Sequence, residues 1–559
     1  MKREPTLELE AIDPMNGILE AAEDFRSGDT EDPTLFQAAT GEMAGRSGGI
    51  SGHAEGVGRL SRPPNPVLFR LLYEKQTERD LVEVLPHLLR IDAAHVVMLA
   101  HTRLLSPQVA AELLRVNREL VRLMKAGKEA LPTRPQHRGF YFLYEQEYID
   151  RLGKQVGGAA HLARSRNDIN ATVMRARLRD ELLDMLAEFC KLSHIMAAAG
   201  QKYSDAVICG FTHMQPAQPS TLGHYIAAVL SELLRSAEIL DSVYDIINCS
   251  PMGAAAGLGT SFAIDRGEVA QFLGFSSIIH NSADAVASRD YLVHVLSGMA
   301  MLGISLTRFA TDFQIWSSAA YGFLGWEDDL VSTSSIMPQK RNAFVWENIR
   351  GKAITPIGGL VNTLTGMKNV SFNNTVEVSS EASGHIWPAL KAMMQAIQLV
   401  QLLIERLQVY PRKMREFLED KQTTMTAVAD LLVARYGLAF RAAHDSVSKL
   451  INQYPEIPPA EEIGPILERI VAEVAHMRLH LDETELAMVL DPVTTAAMAR
   501  CGGGSSPVAV QAQVSALVRR TSSIEKRLKR RRQNLRSAEQ QLQAAVEEIV
   551  AQNLNGDKS

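Results

Sequence analysis

The sequence predicts an all-α protein built around a bundle of long helices, and two observations carry that prediction. Apolar residues recur with helical spacing over long segments, whereas alternating strand patterns are scarce. Polar loops that contain glycine separate the apolar segments, and such loops on a rigid scaffold are where function usually lies. Hydrophobic residues form 46% of the 559 residues, enough for a large core. The three loops are Cys209–Gly223, Ser250–Asp265 and Gly322–Asn342.

Residues 1–62 form an acidic extension that precedes the folded part of the chain. They are rich in Gly, Asp, Glu and Ala and lack sustained periodicity, so we predict disorder there apart from a short helix near Met15–Phe25. The first 50 residues hold 11 acidic and 4 basic side chains, a net charge of 4 − 11 = −7. The terminus has no apolar core typical of a secretory signal.

Three helical domains are predicted next, at residues 63–163, 164–410 and 411–515. The central one carries three long apolar helices, of which the third begins near Pro388 and is apolar on most faces. A helix that is apolar nearly all round must be buried on most sides, so we expect an oligomeric bundle core. In the first two helices, apolar residues recur at alternating intervals of four and three positions. The apolar residues are Ile226, Leu230, Leu233, Ala237, Leu240, Tyr244 and Ile247 in the first helix, and Leu292, Leu296, Met299, Leu302, Leu306, Phe309 and Phe313 in the second.

Residues 516–559 form a basic tail that we predict to be helical and similar to a coiled coil. An apolar residue recurs every seventh position, which is typical of a coiled-coil seam, although Arg531 interrupts it. Residues 519–536 contain nine Lys or Arg and one Glu. Two interpretations stay open, a solvated helix face and an arm that binds RNA or another anionic partner. The repeat comprises Leu528, Leu535, Leu542 and Ile549.

Composition excludes several classes of protein. The formal charge of 58 − 64 = −6 provides no chain-wide attraction for nucleic acid or membranes. The four cysteines form no CxxC pair, which argues against a zinc site or a disulfide framework and fits a reducing, cytoplasmic location. No run of 18 apolar residues occurs, and the richest stretch, Leu296–Leu306, stops at Arg308, so we expect no membrane span.

Three polar segments are candidates for chemistry. The first segment, His161–Asp168, sets two arginines and an asparagine before a long helix, which suits carboxylate binding. The second segment, Gly210–Pro219, places a histidine among hydroxyl and amide groups, which suits proton transfer. The third segment, Ser332–Asn342, combines serines, a lysine and an asparagine, and Glu347 follows it. Each alone also fits a structural interpretation: a helix cap, a structural histidine or a basic surface turn.

Taken together, the segments resemble the fumarase/aspartase superfamily, and within it the argininosuccinate lyase family. The resemblance covers roughly residues 63–515, and the many motifs occur in the same order. They are Arg164–Asp168, Gly210–His213 with Gln218–Pro219, Ile264–Arg266, Asn281–Asp284 with Ser288–Asp290, Ser334–Asn342, Phe440–His444, and Leu490–Pro492 with Gly502–Pro507.

The resemblance implies a three-domain fold whose central helices assemble into the 20-helix core of a homotetramer. Each active site would then take its three segments from three subunits. The implied reaction is a reversible anti β-elimination that releases fumarate and an amine from an N-substituted aspartate. No metal or organic cofactor is implied, because acid–base groups and fixed donors suffice for this chemistry.

The resemblance also implies roles for individual residues. Ser334 matches the general base, whose oxyanion a closing loop would stabilise. Thr212 and His213 match the second signature, and the histidine, paired with Glu347, is linked to proton delivery to the leaving group. Lys340 matches the residue that binds the carboxylate and stabilises the dianion. Implied substrate contacts are Ser165, Arg166, Asn167, Gln215, Asn281, Ser335, Met337, Asn342 and Glu377.

The chain departs from the argininosuccinate lyase pattern where the family binds arginine. In Ser371–Ser380 the family's arginine-binding motif is missing, and Glu377 and Ser380 replace a glutamine and a lysine. Asp92 lies near the position of a substrate-touching serine. We therefore predict an amine other than arginine, such as a cationic diamine. In the third segment, Thr333 replaces a usual glycine and should change loop stiffness alone.

Several alternatives stay open. The chain could be an authentic argininosuccinate lyase with a divergent pocket, or another fumarate-releasing lyase of the nitrosuccinate or adenylosuccinate type. A non-enzymatic homologue is a further alternative, although the intact Ser334, His213 and Lys340 argue against it. A nucleic-acid-binding protein that uses the basic tail is the last.

Overall fold

The computed structural model describes residues 62–132, 137–456, 458 and 460–556. The predicted disorder of the acidic extension and the predicted helix near Met15–Phe25 lie outside these residues. The described part of the chain is mostly helical, as the sequence predicts.

The helices before the first segment share a hydrophobic core with the end of the tail. Ser106 caps one of them through a hydrogen bond from the Val109 N–H to its Oγ (3.3 Å), and Pro107 follows at the first helical position. The elements are α1 (Pro66–Leu68), a π-helix (Phe69–Glu74), α2 (Lys75–Glu83), α3 (Leu85–His101), α4 (Pro107–Lys125), α5 (Phe140–Gly157) and a 3₁₀ turn (Gly158–His161).

The central region contains several long core helices and all of the strands that the structure describes. Its α-helices are α6 (Arg166–Lys202), α7 (Leu222–Ile247), α8 (Arg266–Phe272), α9 (Ser282–Ala287), α10 (Asp290–Ser317), α11 (Val345–Ala353), α12 (Thr355–Met367) and α13 (Ile386–Glu405). A 3₁₀ turn (Asp328–Leu330), a π-helix (Glu377–Glu381) and a second 3₁₀ turn (Ser383–His385) connect them.

The strands form four two-stranded pairs, of which one is parallel and three are antiparallel. The parallel pair is β3 (Cys249–Ser250) with β4 (Ser277–Ile278). The antiparallel pairs are β1 (Val207–Thr212) with β2 (Gln215–Thr221), β5 (Leu324–Gly325) with β8 (Gln408–Val409), and β6 (Ser332–Thr333) with β7 (Arg341–Asn342).

The helices after the central region are short except for the last. Residues between 425 and 490 form a hydrophobic core of their own, separate from that of the central bundle. The elements are α14 (Pro411–Asp420), α15 (Met425–Tyr436), α16 (Phe440–Gln453), α17 (Ala460–Val474), α18 (Glu483–Leu490), α19 (Pro492–Met498) and α20 (Pro507–Gly556).

The predicted apolar faces of α7 and α10 are buried at every one of their spaced positions. Full burial of each such side chain contributes about 1.5–3 kcal/mol, so these faces hold the bundle together. The third helix begins at Ile386 instead of Pro388, because the chain already turns as a 3₁₀ segment before it. Pro388 therefore lies in the first turn, where its missing N–H costs no hydrogen bond.

The second segment is a β-hairpin, although the sequence predicted a loop. Strands β1 and β2 meet at a two-residue turn in which His213 and Met214 have φ of 52° and 62°. Two consecutive positive φ values match the twist of a type I′ hairpin turn. The glycine, prolines and glutamines of this segment have low strand propensity, so local preference gave no signal of the pairing.

The tail is one 50-residue helix, α20, that packs along the other helices of its own chain. Its seven-residue repeat faces them, so the predicted seam is intramolecular. Arg531 does not interrupt the seam as the sequence suggested, because its buried guanidinium pairs with Asp241. Arg520 likewise pairs with Glu238 (2.8 Å), and Arg532 with Asp184 (2.6 Å).

Helix α10 is long and apolar enough to cross a membrane by length and composition alone. However, 61% of its most apolar window is buried inside the protein, as in the core helix of a soluble fold. The helix thus indicates no membrane.

Candidate active site

The first segment is fixed to the start of α6 by a capping box. The Ser165 Oγ accepts a hydrogen bond from the Asn167 N–H (3.4 Å), and Asp168 Oδ1 accepts one from the Ser165 N–H (3.0 Å). The other oxygen of Asp168 accepts hydrogen bonds from the backbone N–H groups of Gly253 (3.0 Å) and Ala255 (2.9 Å). Burial raises the pKa of Asp168 to about 6 despite these three donors. The carboxylate thus ties the segment to the loop after β3.

A buried polar network fixes the other end of the first segment. Arg164 forms a fully buried ion pair with Asp92 of α3. The Tyr144 hydroxyl donates to Asp92 Oδ2 (2.7 Å), and the Tyr148 hydroxyl lies 3.0 Å from that of Tyr144. In addition, His95 Nε2 donates to the Leu162 carbonyl (2.8 Å). The expectation that Asp92 adds negative charge to a substrate pocket is therefore wrong, because Arg164 and Tyr144 surround its carboxylate in the core.

Two predicted substrate contacts project outward from this anchored segment. Arg166 is exposed, and its guanidinium lies over the Phe142 ring, 4.4 Å from the centroid. Asn167 donates to the Ala256 carbonyl (3.3 Å) and accepts a hydrogen bond from Asn374 Nδ2 (2.9 Å). The first segment therefore contacts the Ser371–Ser380 stretch, which is the one that departs from the argininosuccinate lyase pattern.

The second segment presents its functional groups at the tip of the hairpin. Thr212, His213, Met214 and Gln215 are all exposed there. Aromatic contacts near the tip hold the hairpin, since the Phe211 ring lies 6.0 Å from Phe417 of α14 and 5.9 Å from Tyr321. These contacts hold the hairpin in place, and the side chains at its tip are exposed to solvent.

The third segment is a surface loop closed by the short pair β6–β7. The Ser334 Oγ accepts hydrogen bonds from the backbone N–H groups of Ile336 (3.3 Å) and Met337 (3.1 Å). Convergent N–H donors of this kind stabilise negative charge on an oxygen. Ser335 and Lys340 are exposed, and Ile336 is 83% exposed. The loop therefore projects its side chains into solvent.

The remaining predicted contacts are also on the surface. Asn342 Nδ2 lies 3.5 Å from Ser332 Oγ, and Glu347, in the first turn of α11, accepts a hydrogen bond from Gln314 Nε2 (2.7 Å). Asn281 caps α9 by accepting from two backbone N–H groups. Glu377 is exposed, and the nearby donors of its own backbone N–H and the Thr375 side chain lower the pKa of its carboxyl group.

Within the described residues, no hydrogen bond or ion pair joins any two of the three segments. The first segment instead contacts Asn374, which the sequence reasoning did not single out. The contact joins residues 207 positions apart, so the only sign of it in the sequence was a pair of asparagines in a polar stretch. A cleft of about 330 Å³ also opens beside Arg166, with Ser379 and Ser380 on its wall.

Comparison with known proteins matches this architecture to one group of enzymes. A family model described as lyase matches residues 92–358. Argininosuccinate lyase 1 of Shouchella clausii is 33% identical over 486 residues, which cover 87% of this chain and 97% of that protein. Argininosuccinate lyase of Methanosarcina acetivorans is 32% identical over 456 residues, which cover 81% and 90%.

Solved structures give the same result. The crystal structure of EDDS lyase in complex with formate matches with a TM-score of 0.76 and 26% identity over 90% of this chain and 99% of that one. A class II fumarase from Schistosoma mansoni matches with a TM-score of 0.55 and 16% identity over 75% of this chain and 95% of that one, which shows the shared fold alone.

Proposed function

The chain belongs to the argininosuccinate lyase family within the fumarase/aspartase superfamily, and from this premise we propose the reaction and the residues that perform it. The family relationship makes the protein a fumarate-releasing carbon–nitrogen lyase. We propose that it cleaves or forms an N-substituted aspartate whose amine is not arginine. One contrast carries this proposal: the third segment retains its serine, lysine and asparagine, whereas Ser371–Ser380 lacks the arginine-binding motif.

In the cleavage direction, Ser334 removes a proton from the carbon beside a carboxylate. The electron pair of that C–H bond forms the double bond of fumarate, and the C–N bond breaks with its electron pair leaving on nitrogen. The two N–H donors at Ser334 Oγ support this role, because they stabilise the alkoxide that a serine base requires. Met337 provides one of these donors, and Ser335 lies beside the base.

The intermediate carries two negative charges on one carboxylate, and cationic and amide groups must neutralise them. Lys340 and Asn342 of the third segment supply these groups in our proposal, and Asn281 contacts the same half of the substrate. The hairpin tip delivers a proton to the departing nitrogen through His213, which Glu347 orients and Thr212 assists. Gln215 at the tip and Glu377 complete the contacts that we propose.

The first segment binds the part of the substrate nearer the amine. Ser165 and Asn167 lie at the N-terminus of the 37-residue helix α6, where free N–H groups favour an anion. Arg166 offers a guanidinium that can bind a carboxylate in a bidentate manner. The buried Arg164–Asp92 pair below them keeps this region fixed.

The separation of the segments supports a homotetramer in which three subunits build each site. Exposed apolar side chains on the bundle helices support the same assembly, for example Ile239 on α7 and Met301 and Ile304 on α10. Ile304→Asp should yield a smaller species by light scattering after gel filtration. Val493→Asp on α19 is a matched control, because both residues are 40% exposed. A wild-type monomer, or an unchanged mass for Ile304→Asp, would contradict the proposal.

A cytoplasmic location is part of the proposal. All four cysteines are free thiols, and Cys190 and Cys209 are buried, as expected in a reducing compartment.

The reaction can be tested with a fumarate assay in both directions. The purified enzyme would be given argininosuccinate, and in separate reactions fumarate with a panel of amines. We expect a new N-substituted aspartate with at least one amine and little turnover of argininosuccinate. Rapid cleavage of argininosuccinate would instead favour an authentic argininosuccinate lyase, the second candidate, which the relatives at 31–33% identity support.

A further inference from the structure

A second cleft lies between the hairpin and the short helices that follow the central region. It has a volume of about 650 Å³, which is within the range of small-molecule sites. Helices α15, α18 and α19 supply most of its walls, and Gln218 and Pro219 of strand β2 form one side. The proposed reaction uses none of the residues that line this C-terminal cleft.

The walls of the C-terminal cleft are mostly apolar. Two of the lining residues, Met488 and Met498, are large apolar side chains that are 50% and 54% exposed. Methionine is flexible and polarisable, so it adapts to the shape of a bound molecule. Exposed apolar side chains grouped around a concave surface are typical of a binding site. The other apolar lining residues are Pro219, Ala427, Leu431, Ala434, Val489 and Ala499.

The C-terminal cleft also contains one carboxylate without a partner. Two of its three charged lining residues neutralise each other, because Nε (2.8 Å) and Nη2 of Arg435 both donate to Glu485 Oε1. The third, Asp430, is exposed, and its side chain forms no hydrogen bond or ion pair within the described residues. The lining therefore carries one net negative charge, which favours a cationic ligand.

The uncharged polar groups of the cleft can accept hydrogen bonds from such a ligand. The Thr423 hydroxyl already donates to the Leu418 carbonyl (3.0 Å), so only its acceptor capacity is free. The Thr495 hydroxyl likewise donates to the Val489 carbonyl (2.8 Å). The Gln218 side chain provides an amide oxygen that has no donor among the described residues. An ammonium group has three donors and no acceptor, so it complements this lining.

We propose that the C-terminal cleft is a second binding site, which takes an organic ammonium ion with an apolar body. The ammonium group pairs with Asp430, and the apolar body lies against Met488 and Met498. The inference is independent of the proposed reaction, because it uses other residues. A ligand in this site contacts strand β2 and the helices after the central region together, so it links the hairpin to them.

Two probes of matched shape and opposite charge test the site. Phenethylammonium and hydrocinnamate both carry a phenyl ring on a short chain, and each would be titrated into the full-length enzyme without fumarate. Ligand-observed NMR measures the dissociation constants. We expect phenethylammonium to bind at least about tenfold more tightly, because Asp430 attracts one probe and repels the other. Equal affinities, or no binding of phenethylammonium, would overturn the inference.

Two substitutions assign the binding to the C-terminal cleft. Asp430→Asn should weaken phenethylammonium binding about fivefold, because the ion pair is lost. Glu462→Gln is the matched control, because Glu462 is also an exposed carboxylate but lies on α17, outside the lining. Ala434→Trp should abolish binding by filling the cleft, and since Ala434 is exposed the fold should tolerate the larger side chain. Unchanged affinity in either variant, with folding verified by circular dichroism, would overturn the inference.

Discussion

The first and third segments contribute to the same proposed reaction, yet the protein supports them in opposite ways. The first is anchored from below by the Asp92–Arg164 pair and by Asp168, both fully inside the protein. The third rests on the two-residue pair β6–β7 and on hydrogen bonds to Ser334 Oγ, all near the surface. In the proposed reaction, the first binds substrate without rearrangement and the third closes over it.

This difference separates binding from chemistry. A pre-organised cationic region binds a substrate at little entropic cost. In the proposed reaction, the loop that carries the base is exposed to solvent until the substrate and another subunit cover it, and closure then strengthens the electrostatic interactions around the base. Changes in the first segment should therefore reduce stability, and changes in the third should reduce turnover.

The largest effect is expected for the base. Ser334→Ala should lower kcat about a thousandfold, because proton removal loses its acceptor. The thermal midpoint should change little, since the lost hydrogen bonds are near the surface. Steady-state fumarate kinetics and differential scanning calorimetry check the two halves of this prediction. Near-normal kcat in this variant would remove Ser334 as the base.

A second prediction compares the two supports directly. Asp92→Ala leaves the buried Arg164 unpaired and the Tyr144 hydroxyl without its acceptor, so we expect a loss of about 3–5 kcal/mol in unfolding free energy. Asp328→Ala removes the exposed partner of Arg341 beside the third segment. This substitution should change the unfolding free energy little, because solvent screens the pair. Urea unfolding followed by circular dichroism measures both. Similar losses would show that the first segment is not specially anchored.

Acid should weaken the anchored region through His95. Burial lowers the pKa of His95 to about 3 and the nearby Arg164 charge adds to this shift, whereas the hydrogen bond to the Leu162 carbonyl opposes it. The unfolded histidine binds a proton near pH 6.5, so this stabilising contribution is complete above that value and is lost as pH falls towards 3. Between pH 7 and pH 5 the loss is about 2 kcal/mol.

His95→Gln tests this directly, because glutamine keeps a donor for the Leu162 carbonyl and does not titrate. The variant should lose less stability than wild type between pH 7 and pH 5 in urea titrations. The remaining slope combines His87 and His161, whose pKa values burial lowers to about 4, with Asp168, whose raised pKa contributes in the opposite direction. Parallel pH profiles for variant and wild type would contradict the assignment.

The smallest effect is expected at the closure of the third segment. Thr333→Gly restores the residue usual in the family but weakens β6, because glycine loses more backbone entropy on ordering. We expect kcat/KM for the favoured substrate to fall by about two- to threefold, with no change in the unfolding midpoint. A tenfold change in kcat/KM in either direction would contradict this prediction and show that the stiffness of the loop controls the reaction.

Local patterns predicted the bundle well and the hairpin poorly. The apolar spacing from Ile226 to Ile247 is a property of one helix, so the sequence contains it in full. The hairpin of β1 and β2 packs against Phe417, a residue far along the chain, through Phe211, and no local preference indicates this contact. The comparison with relatives confirms the predicted superfamily and fold, but the roles of the individual site residues stay predictions.

Asp92 and Arg531 show a second limit of sequence reasoning. The resemblance suggested Asp92 as part of a substrate pocket, and the seven-residue repeat suggested Arg531 as an interruption of the seam, because charged residues are rarely buried. Both are buried against a partner more than 70 positions away, and only the folded chain reveals the pair. The same limit applies to the cleft beside Arg166, because Arg79, Arg166 and Ser380 on its wall come from well-separated stretches of sequence.

Complementation between two inactive variants tests most directly whether the segments meet between chains. Ser334→Ala and His213→Asn chains, carrying different tags, would be unfolded together, refolded and purified as mixed oligomers. If one site takes its second and third segments from different chains, some sites in the mixture contain no substitution, and fumarate release should recover to several per cent of wild type or more. Mixed oligomers no more active than the separate variants would contradict the shared site.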